Sequence, residues 1–439
     1  MSTSTLGVSP APPTEKDVRR IVAAAYVGTA LEWYDYFLYG TAAAIVFAGL
    51  FFPTENAATA AMIALLSFGI GFVVRPLGAV LFSHIGDRYG RRAALIGTIV
   101  VMGVATGAIG LLPTYAAIGL AAPVLLTVMR VLQGLSAGGE WGGATLMALE
   151  YAPEEKRARY ASMVQLGSPT GTVLSSAAFI LASMLPEDDF LSWGWRVPFL
   201  AAFSLLALAL YLRMKVEETP LFKQLVAAEQ REKLPVVETF RTASGRLFVG
   251  AAMYFIGTAA FFIMTTFMIS YITSSLGLPK SLALTSTIVG AFAQMAVLVY
   301  FGRLADRIGA AKVNILGSAV TVVAAFPVFW LVDTKVPALV LLGVTLGIAC
   351  ISIPYSAIGP ALSSLFPAHL QYSGVALSAN FSNVLAGFMP FIATWAFAAA
   401  GDKSWAPAGL LALVALISLA GSIASDRLQR PVRVEATTS

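Results

Sequence analysis

Twelve apolar stretches, each about 20 residues long and able to cross a lipid bilayer as a helix, constrain the fold of this chain more than any other feature. They begin near Ile21, Ala57, Ala93, Ala117, Tyr160, Val197, Phe248, Ser281, Val313, Val336, Tyr372 and Trp405. Hydrophobic residues make up 58% of the 439 positions and charged residues only 12%, and a soluble core cannot bury that much apolar surface. We therefore predict an all-α membrane protein with twelve transmembrane helices.

Two polar loops carry the same short motif and indicate an internal repeat. In each loop an Asp-Arg pair is followed two positions later by glycine and then by basic residues: Asp87 and Arg88 follow the second apolar stretch, and Asp306 and Arg307 follow the eighth. The two motifs lie about half the chain apart. This spacing predicts two pseudo-symmetric six-helix bundles.

The polar segments between and around the bundles set the expected boundaries. We predict an N-terminal tail over residues 1–20, the first bundle over 21–212, a linker over 213–247, the second bundle over 248–426 and a C-terminal tail over 427–439. The linker is rich in Lys, Arg and Glu and is too short for a separate domain. No Walker A pattern for ATP binding occurs.

The distribution of positive charge predicts the orientation in the membrane. Most of the 28 Lys and Arg residues fall in the two tails and the even-numbered loops. The positive-inside rule then places both termini and the linker in the cytoplasm, with the chain in the plasma (cytoplasmic) membrane. The net charge of +5 is explained by this bias, so no nucleic-acid partner is required, and we expect a monomer in the lipid bilayer.

Neither metal nor disulfide chemistry is expected from the sequence. Cys350 is the single cysteine, and the two histidines, His84 and His369, are far apart in the chain. No nucleophile and base pattern stands out, so we expect no cofactor and no enzymatic activity.

Three charged residues stand inside apolar stretches and are the candidates for proton coupling. Glu32 and Asp35 are three positions apart on the first stretch, and Arg130 lies on the fourth at a similar expected depth. Because charge in hydrocarbon is costly, such residues are usually functional and paired. We predict that Arg130 pairs with Asp35 or Glu32 in one state and releases it for protonation in another. The alternative, a permanently bonded structural acid, applies more to Glu32 than to Asp35.

The repeated loop motif can latch helices on the cytoplasmic side. Its carboxylate can accept hydrogen bonds from an arginine or from the N–H groups at a neighbouring helix N-terminus. The alternative is a solvated basic loop that only sets orientation. The candidates for this cytoplasmic gate are Asp87, Arg88, Arg91, Glu140, Glu150, Asp306 and Arg307.

These loops, and the arginine motif at residues 130–134, resemble the signatures of the major facilitator superfamily. The segments 31–40, 75–78, 138–143 and 194–199 resemble the metabolite:proton symporter family, and most of all its shikimate- and oxoglutarate-type permeases. The likeness covers nearly the whole chain. One departure is Ser83, where the first loop motif of the superfamily begins with glycine.

The resemblance also implies candidates for solute binding. In oxoglutarate-type relatives, arginines at the positions of Arg75 and Arg196 handle the substrate, and an arginine fork matches a carboxylate. Arg196 has the alternative role of an interface anchor beside two tryptophans. Tyr34 and Gln133 stand inside segments that carry the resemblance and are further candidates. The neutral candidates of the second half, each of which could instead bond a neighbouring helix, are Tyr254, Gln294, Tyr355, Asn380 and Asn383.

The sequence thus predicts a secondary transporter that couples uptake of a small carboxylate or zwitterion, such as shikimate, oxoglutarate or betaine, to proton entry. A proton-antiport efflux carrier is the alternative within transport, and a membrane nutrient sensor is the alternative from another class.

Overall fold

The computed structural model describes residues 15–89, 91–138, 149, 152–214, 235–367 and 370–437. Within these ranges the chain forms twelve long helices, some of them interrupted, which we number α1 to α12. In the first half they are α1 (Glu15–Ala42, continued by Ala43–Phe47 and Ala48–Leu50), α2 (Ala57–Val73 and Arg75–Tyr89), α3 (Arg91–Ile109), α4 (Ala121–Ala137), α5 (Arg157–Gln165 and Gly167–Ala182) and α6 (Arg196–Met214). In the second half they are α7 (Pro235–Phe255, continued to Ser275), α8 (Lys280–Ile308), α9 (Ala310–Asp333), α10 (Pro337–Ser363), α11 (Gln371–Ala386 and Met389–Ala399) and α12 (Trp405–Thr437).

Local sequence explains several of the helix ends. Asn56 caps α2, because its side chain accepts hydrogen bonds from the backbone N–H groups of Ala58 and Thr59. Pro337 occupies the first turn of α10, where its missing N–H costs nothing. Gly309 separates α8 from α9 with a φ of 98°, a conformation that favours glycine.

Eight helical segments in the described part of the chain are individually long and apolar enough to span a membrane, and they belong to α2 and α6 to α12. In α1, α3, α4 and α5 polar or undescribed positions shorten the apolar runs. The helices also reach into segments that the sequence assigns to tails and linker. Helix α1 begins at Glu15, and α12 continues to Thr437. In the predicted linker, a short helix begins at Pro235 and is separated from the rest of α7 by a kink at Ala243, whose φ of −129° is not helical.

The helix packing repeats after six helices, as the two-bundle prediction requires. The pairs α1 with α5, α2 with α4 and α3 with α6 pack together, and so do α7 with α11, α8 with α10 and α9 with α12. Between the halves, α2 packs on α11 and α5 packs on α8, two contacts that are also related by a shift of six helices. The fold is therefore two pseudo-symmetric six-helix bundles.

Throughout, "near end" means the end of the bundle at which α1 begins, and "far end" means the opposite end. Contacts between the halves occur at both ends. A Cβ atom at Gly302 of α8 would collide with Ser162 of α5 at the near end. Toward the far end, a Cβ atom at Gly69 of α2 would collide with the ring of Phe388 next to α11. Among the described residues, the two halves are therefore in contact on both sides of the middle of the molecule.

Candidate functional site

Helix α1 places two carboxylates in the closed centre of the molecule. Glu32 is 4% exposed and Asp35 is 3% exposed. Although they are only three positions apart, they have different partners, because Glu32 contacts α2 whereas Asp35 contacts α3 and α4. The two acids therefore belong to two separate polar clusters.

Glu32 forms a buried ion pair with Arg75. Arg75 Nη2 donates to Glu32 Oε1 at 2.6 Å, and the Tyr36 hydroxyl donates to the same oxygen at 2.8 Å. Arg75 Nη2 also donates to the Tyr36 hydroxyl oxygen, and the guanidinium lies 5.1 Å from the ring centre of Phe72. Arg75 begins the second segment of α2, directly after the break at Val74. The charge of Glu32 is balanced at this position by Arg75.

Among the described residues, Asp35 has only neutral hydrogen-bond partners. Its Oδ1 accepts from the Thr106 hydroxyl of α3 and from Gln133 Nε2 of α4, the latter at 2.8 Å. Gln133 Nε2 also donates to the Thr106 hydroxyl oxygen at 3.0 Å. Asp35 Oδ2 is buried and has no hydrogen-bond partner among the described residues. One carboxylate oxygen in the centre of the protein is thus left without a partner.

Arg130 of α4 is held by the backbone of α2 and by aromatic rings. Its Nε and Nη2 donate to the Phe68 carbonyl oxygen at 3.2 and 3.1 Å, and its Nη1 donates to Gln133 Oε1 at 3.2 Å. The guanidinium lies 4.4 Å from the ring centre of Tyr39. A direct ion pair of Arg130 with Glu32 or Asp35, as predicted from the sequence, is absent from the described contacts of this conformation, since Gln133 stands between Arg130 and Asp35.

Three predicted residues of the second half lie opposite the Glu32–Arg75 pair. The side chains of Tyr254 on α7 and Asn383 on α11 are buried and interact with each other. The Tyr355 ring on α10 meets the Trp33 ring of α1 edge to face, with centres 6.5 Å apart. The Tyr355 hydroxyl and Asn383 Oδ1 have no hydrogen-bond partner among the described residues.

Other predicted binding residues lie away from this centre or are tied elsewhere. The Tyr34 hydroxyl donates to the Pro198 carbonyl oxygen of α6 at 2.8 Å. Arg196 donates to the carbonyl oxygens of Gly110 and Leu112 and lies 4.5 Å from the Trp195 ring centre, as its alternative role of anchor implies.

The remaining two candidates of the second half differ in their surroundings. Asn380 donates to the Gly138 carbonyl oxygen of the first half at 3.3 Å, so it joins the halves. Gln294 is buried in α8, and its Oε1 has no partner within the described part of the chain.

At the near end, the carboxylate of Asp306 meets the first turn of α5. Asp306 Oδ1 accepts from the Ala158 N–H at 2.9 Å, and both carboxylate oxygens lie within hydrogen-bond distance of the Arg159 N–H. Such a bond between the motif carboxylate and a helix N-terminus is one of the roles predicted for the loop motif. Here the bond links α8 to the first half. Arg307 is exposed.

The other predicted gate residues are only partly described. The backbones of Asp87, Arg88 and Arg91 lie in α2 and α3, but their side chains lie outside the described part. Glu140 and Glu150 lie outside the described residues altogether. The described residues contain no group of three acidic, histidine or cysteine side chains that could hold a metal ion.

A family model described as Major Facilitator Superfamily matches residues 25–390. The chain belongs to the major facilitator superfamily. Its relatives in this superfamily include the inner membrane metabolite transport protein YhjE of Escherichia coli (strain K12), which is 37% identical over 86% of this chain and 87% of the relative. The shikimate transporter of the same organism is 37% identical over 85% of this chain and 87% of its own length. The proline/betaine transporter of Salmonella typhimurium (strain LT2) is 34% identical over 95% and 85%.

The crystal structure of a D-xylose-proton symporter has the same superfamily fold. It superimposes with a TM-score of 0.71 over 91% of this chain and 97% of the symporter, at 17% sequence identity. This match and the family model confirm the predicted twelve-helix architecture. The chain is a membrane transporter of the superfamily, and its homologues carry small-molecule metabolites.

Sequence reasoning missed three side chains that complete the central clusters. Tyr36 is four positions after Glu32, so it shares a helix face with that acid, and this spacing could have found it. Tyr39 covers Arg130, and Thr106 bonds Asp35. A threonine in an apolar helix gives no signal of its own, so Thr106 could be found only from the packing of α1 on α3.

Proposed function

We propose that this transporter is a proton-coupled symporter that takes up a small organic carboxylate or zwitterion by alternating access. The observation that carries the proposal is the different environment of the two acids on α1. Glu32 is balanced by Arg75, whereas Asp35 is bonded to neutral groups and its Oδ2 has no partner within the described ranges. A proton-coupled carrier needs a buried acid, such as Asp35, whose charge is not balanced by a permanent ion pair.

Asp35 is the acid that takes up and releases the proton. An isolated carboxylate in an apolar interior is strongly disfavoured in its charged form, and binding a proton removes that cost. The proton would sit on Oδ2, the oxygen without a partner. Thr106 and Gln133 hold the other oxygen and fix the orientation of the group. Release of the proton requires a conformation in which water or Arg130 reaches Asp35.

The solute binds between the Glu32–Arg75 pair and the polar groups of the second half. Arg75 offers a planar fork to a carboxylate, and its Nε has no hydrogen-bond partner among the described residues. Tyr254, Tyr355 and Asn383 face it from α7, α10 and α11. The names of the relatives include shikimate, proline and betaine. All three molecules carry a carboxylate, which is the group that Arg75 would bind.

Alternating access is the rocking of one half against the other about this site. We assign the near end to the cytoplasm, with both termini there, because basic residues concentrate in its loops and tails. The bond between Asp306 and α5 would close the cytoplasmic path, and the contact of Gly69 with Phe388 would close the outer path. The proton gradient supplies the driving force, and each net positive charge carried inward with the solute gains a further energy of about 2.3 kcal/mol at a potential of 100 mV.

Solute-driven proton movement in proteoliposomes tests the proposal. A pH-sensitive dye is enclosed in vesicles that contain the purified protein, and shikimate or betaine is added outside. We expect the interior to acidify together with solute entry, and we expect an imposed inward proton gradient to concentrate the solute. Alkalinisation of the interior with solute entry would instead identify an antiporter. Binding without transport of either species would identify a sensor.

A further inference from the structure

Helices α5 and α8 carry a set of buried polar atoms that the protein leaves without partners. Both side-chain polar atoms of Gln165, the Ser168 hydroxyl and Gln294 Oε1 have no hydrogen bond among the described residues. These side chains are 2%, 1% and 1% exposed, respectively. Because nearly all buried polar groups in proteins have a hydrogen-bond partner, we expect a bound molecule to supply the partners of this set.

The side of α5 that carries Gln165 faces the second half. Ser162 of α5 meets Gly302 of α8, so this face of α5 lies against α8. At about 100° per residue, Gln165 lies about 60° around the helix from Ser162, and Ser168 lies about 60° further around in the same direction. Gly167, in contrast, packs directly on the backbone of α1. Gln165 is thus turned away from α1 and toward the boundary between the halves, and Ser168 lies at the edge of the same face.

They also lie at the depth of the central site. A Cβ atom at Gly167 would stand 2.7 Å from the Ala30 nitrogen, and one at Gly171 would stand 2.5 Å from the Tyr34 nitrogen. The intervening turn of α5 is therefore level with Glu32. Ser168 belongs to this turn, and Gln165 precedes it by about 5 Å along the helix.

Gln294 on α8 lies close to the depth of Gln165 and Ser168. It lies eight residues from Gly302, about 12 Å along the helix toward the far end. Gly290 of α8 packs against Ile348 of α10, the side chain that a Cβ atom at Gly290 would meet. Tyr355 follows Ile348 on α10 within two helical turns, so it lies close to this contact. The unpartnered hydroxyl of Tyr355 and Oδ1 of Asn383 add to the set from the second half.

The aromatic rings of the centre, in contrast, already contact one another. The Trp33 ring lies 5.9 Å from the Tyr36 ring centre, 5.6 Å from that of Phe37 and 5.6 Å from that of Phe261. The trimethylammonium group of a solute such as betaine binds best in an open aromatic cage. Here the groups that await a ligand are amides and hydroxyls, which suit a solute with hydroxyl groups.

We infer that the solute is a polyhydroxylated carboxylate, and that Gln165, Ser168 and Gln294 bind its hydroxyls. The inference rests on the proposed function only in using the same central site. Arg75 binds the carboxylate end, and the amides of α5 and α8 each donate to and accept from hydroxyl groups. Gln165 and Ser168 are then specificity-determining residues, because a solute without hydroxyls leaves their polar atoms unpaired.

Thermal stabilisation of the purified full-length protein by three probe compounds tests this inference. The probes are shikimate, cyclohex-1-ene-1-carboxylate, which has the same ring and carboxylate without the hydroxyls, and glycine betaine. A ligand of the folded protein raises the melting temperature according to its affinity. We expect shikimate to bind at least about tenfold more tightly than either other probe, since each lost hydrogen bond removes about 1 kcal/mol or more.

Variants identify the residues responsible. Gln165→Leu and Ser168→Ala should each reduce the preference for shikimate over its hydroxyl-free analogue by at least about fivefold, with little change in the affinity for the analogue. Ser286→Ala is the matched control. Ser286 is also a buried and unpartnered residue of α8, but it lies about 12 Å beyond Gln294 toward the far end, so its removal should leave the preference unchanged.

Two results would overturn the inference. One is equal or tighter binding of betaine or of the hydroxyl-free analogue to the wild-type protein. The other is an unchanged preference in both Gln165→Leu and Ser168→Ala, which would mean that the unpartnered atoms serve only internal water. Because binding is measured without a proton gradient, either result leaves proton coupling to be judged by its own experiment.

Discussion

Arg130 reaches Asp35 through Gln133. The amide of Gln133 donates to Asp35 Oδ1 at 2.8 Å and accepts from Arg130 Nη1 at 3.2 Å. The guanidinium is therefore kept one side chain away from the carboxylate while both are buried. In this conformation Asp35 can hold a proton, and a small movement of α4 against α1 would bring Arg130 to the carboxylate and displace that proton.

Replacing Gln133 should uncouple the two groups. Gln133→Leu removes both hydrogen bonds while keeping a side chain of similar size, and we expect gradient-driven uptake in proteoliposomes to fall by about tenfold or more. Ser136→Ala, one turn further along α4, is the control, because the only bond of the Ser136 hydroxyl among the described contacts is to the Gln133 backbone carbonyl within the same helix. Equal uptake by the two variants would exclude Gln133 from coupling.

Breaking the buried ion pair should destabilise the protein more than removing it. Arg75→Met leaves the Glu32 carboxylate buried and unbalanced, which typically costs about 3–5 kcal/mol. The double variant Glu32→Gln with Arg75→Met removes both charges and should recover much of the lost thermal stability in detergent, but not solute binding. A double variant that melts no higher than Arg75→Met alone would contradict this reading of the pair.

Closure of the far end should depend on the absence of a side chain at Gly69. Gly69→Ile places atoms where the Phe388 ring lies, so the far end should remain open. In a Cys350→Ser background, a Thr266→Cys reporter, buried at the contact of α7 with α1, should become reactive to a membrane-impermeant thiol reagent added outside. Gly49→Ile is the control, since Gly49 has open space at its Cβ position. Unchanged labelling in Gly69→Ile would be inconsistent with closure at this contact.

The near end should loosen when Asp306 loses its charge. Asp306→Asn keeps the shape of the side chain but weakens its bonds to the N–H groups of α5, an effect of about 1 kcal/mol. A Ser162→Cys reporter in the Cys350→Ser background should then react about fivefold faster from the near end in inverted vesicles. The exposed residue Arg303 provides the control variant Arg303→Gln, which should react at the parental rate. Equal rates for all three proteins would remove Asp306 from the near-end contact.

Hydropathy was sufficient to predict the fold, and it failed where helices begin with polar turns. The predicted starts at Ala57 and Trp405 coincide with the observed ones. Helix α1, however, begins at Glu15 rather than near Ile21, because its first turns contain charged residues that an apolar window does not detect. The segment Pro235–Phe255 is interrupted at Ala243, whose φ of −129° and ψ of 23° are not helical, so a short polar helix precedes the membrane-spanning part of α7. The length of an apolar stretch predicts the part of a helix that lies in the bilayer, but it does not predict how far the helix extends beyond the bilayer.

The candidate site was only partly predictable, because sequence does not give the rotation of one helix against another. Glu32, Asp35 and Arg130 were found, since charge in an apolar stretch is a strong signal. The partner of Glu32 proved to be Arg75 on α2 rather than Arg130, and this depends on how α1 is turned. Residues such as Thr106 and Gln165 carry no signal until the packing of the helices places them at the centre.

The most direct test of the central claim compares Asp35→Asn with Glu32→Gln in proteoliposomes, measuring gradient-driven uptake and gradient-free exchange of the same solute. If Asp35 carries the proton, Asp35→Asn will lose accumulation in response to a proton gradient and will retain exchange. Glu32→Gln disturbs the ion pair with Arg75, so it will weaken both activities together. Full proton-driven accumulation by Asp35→Asn would contradict the account.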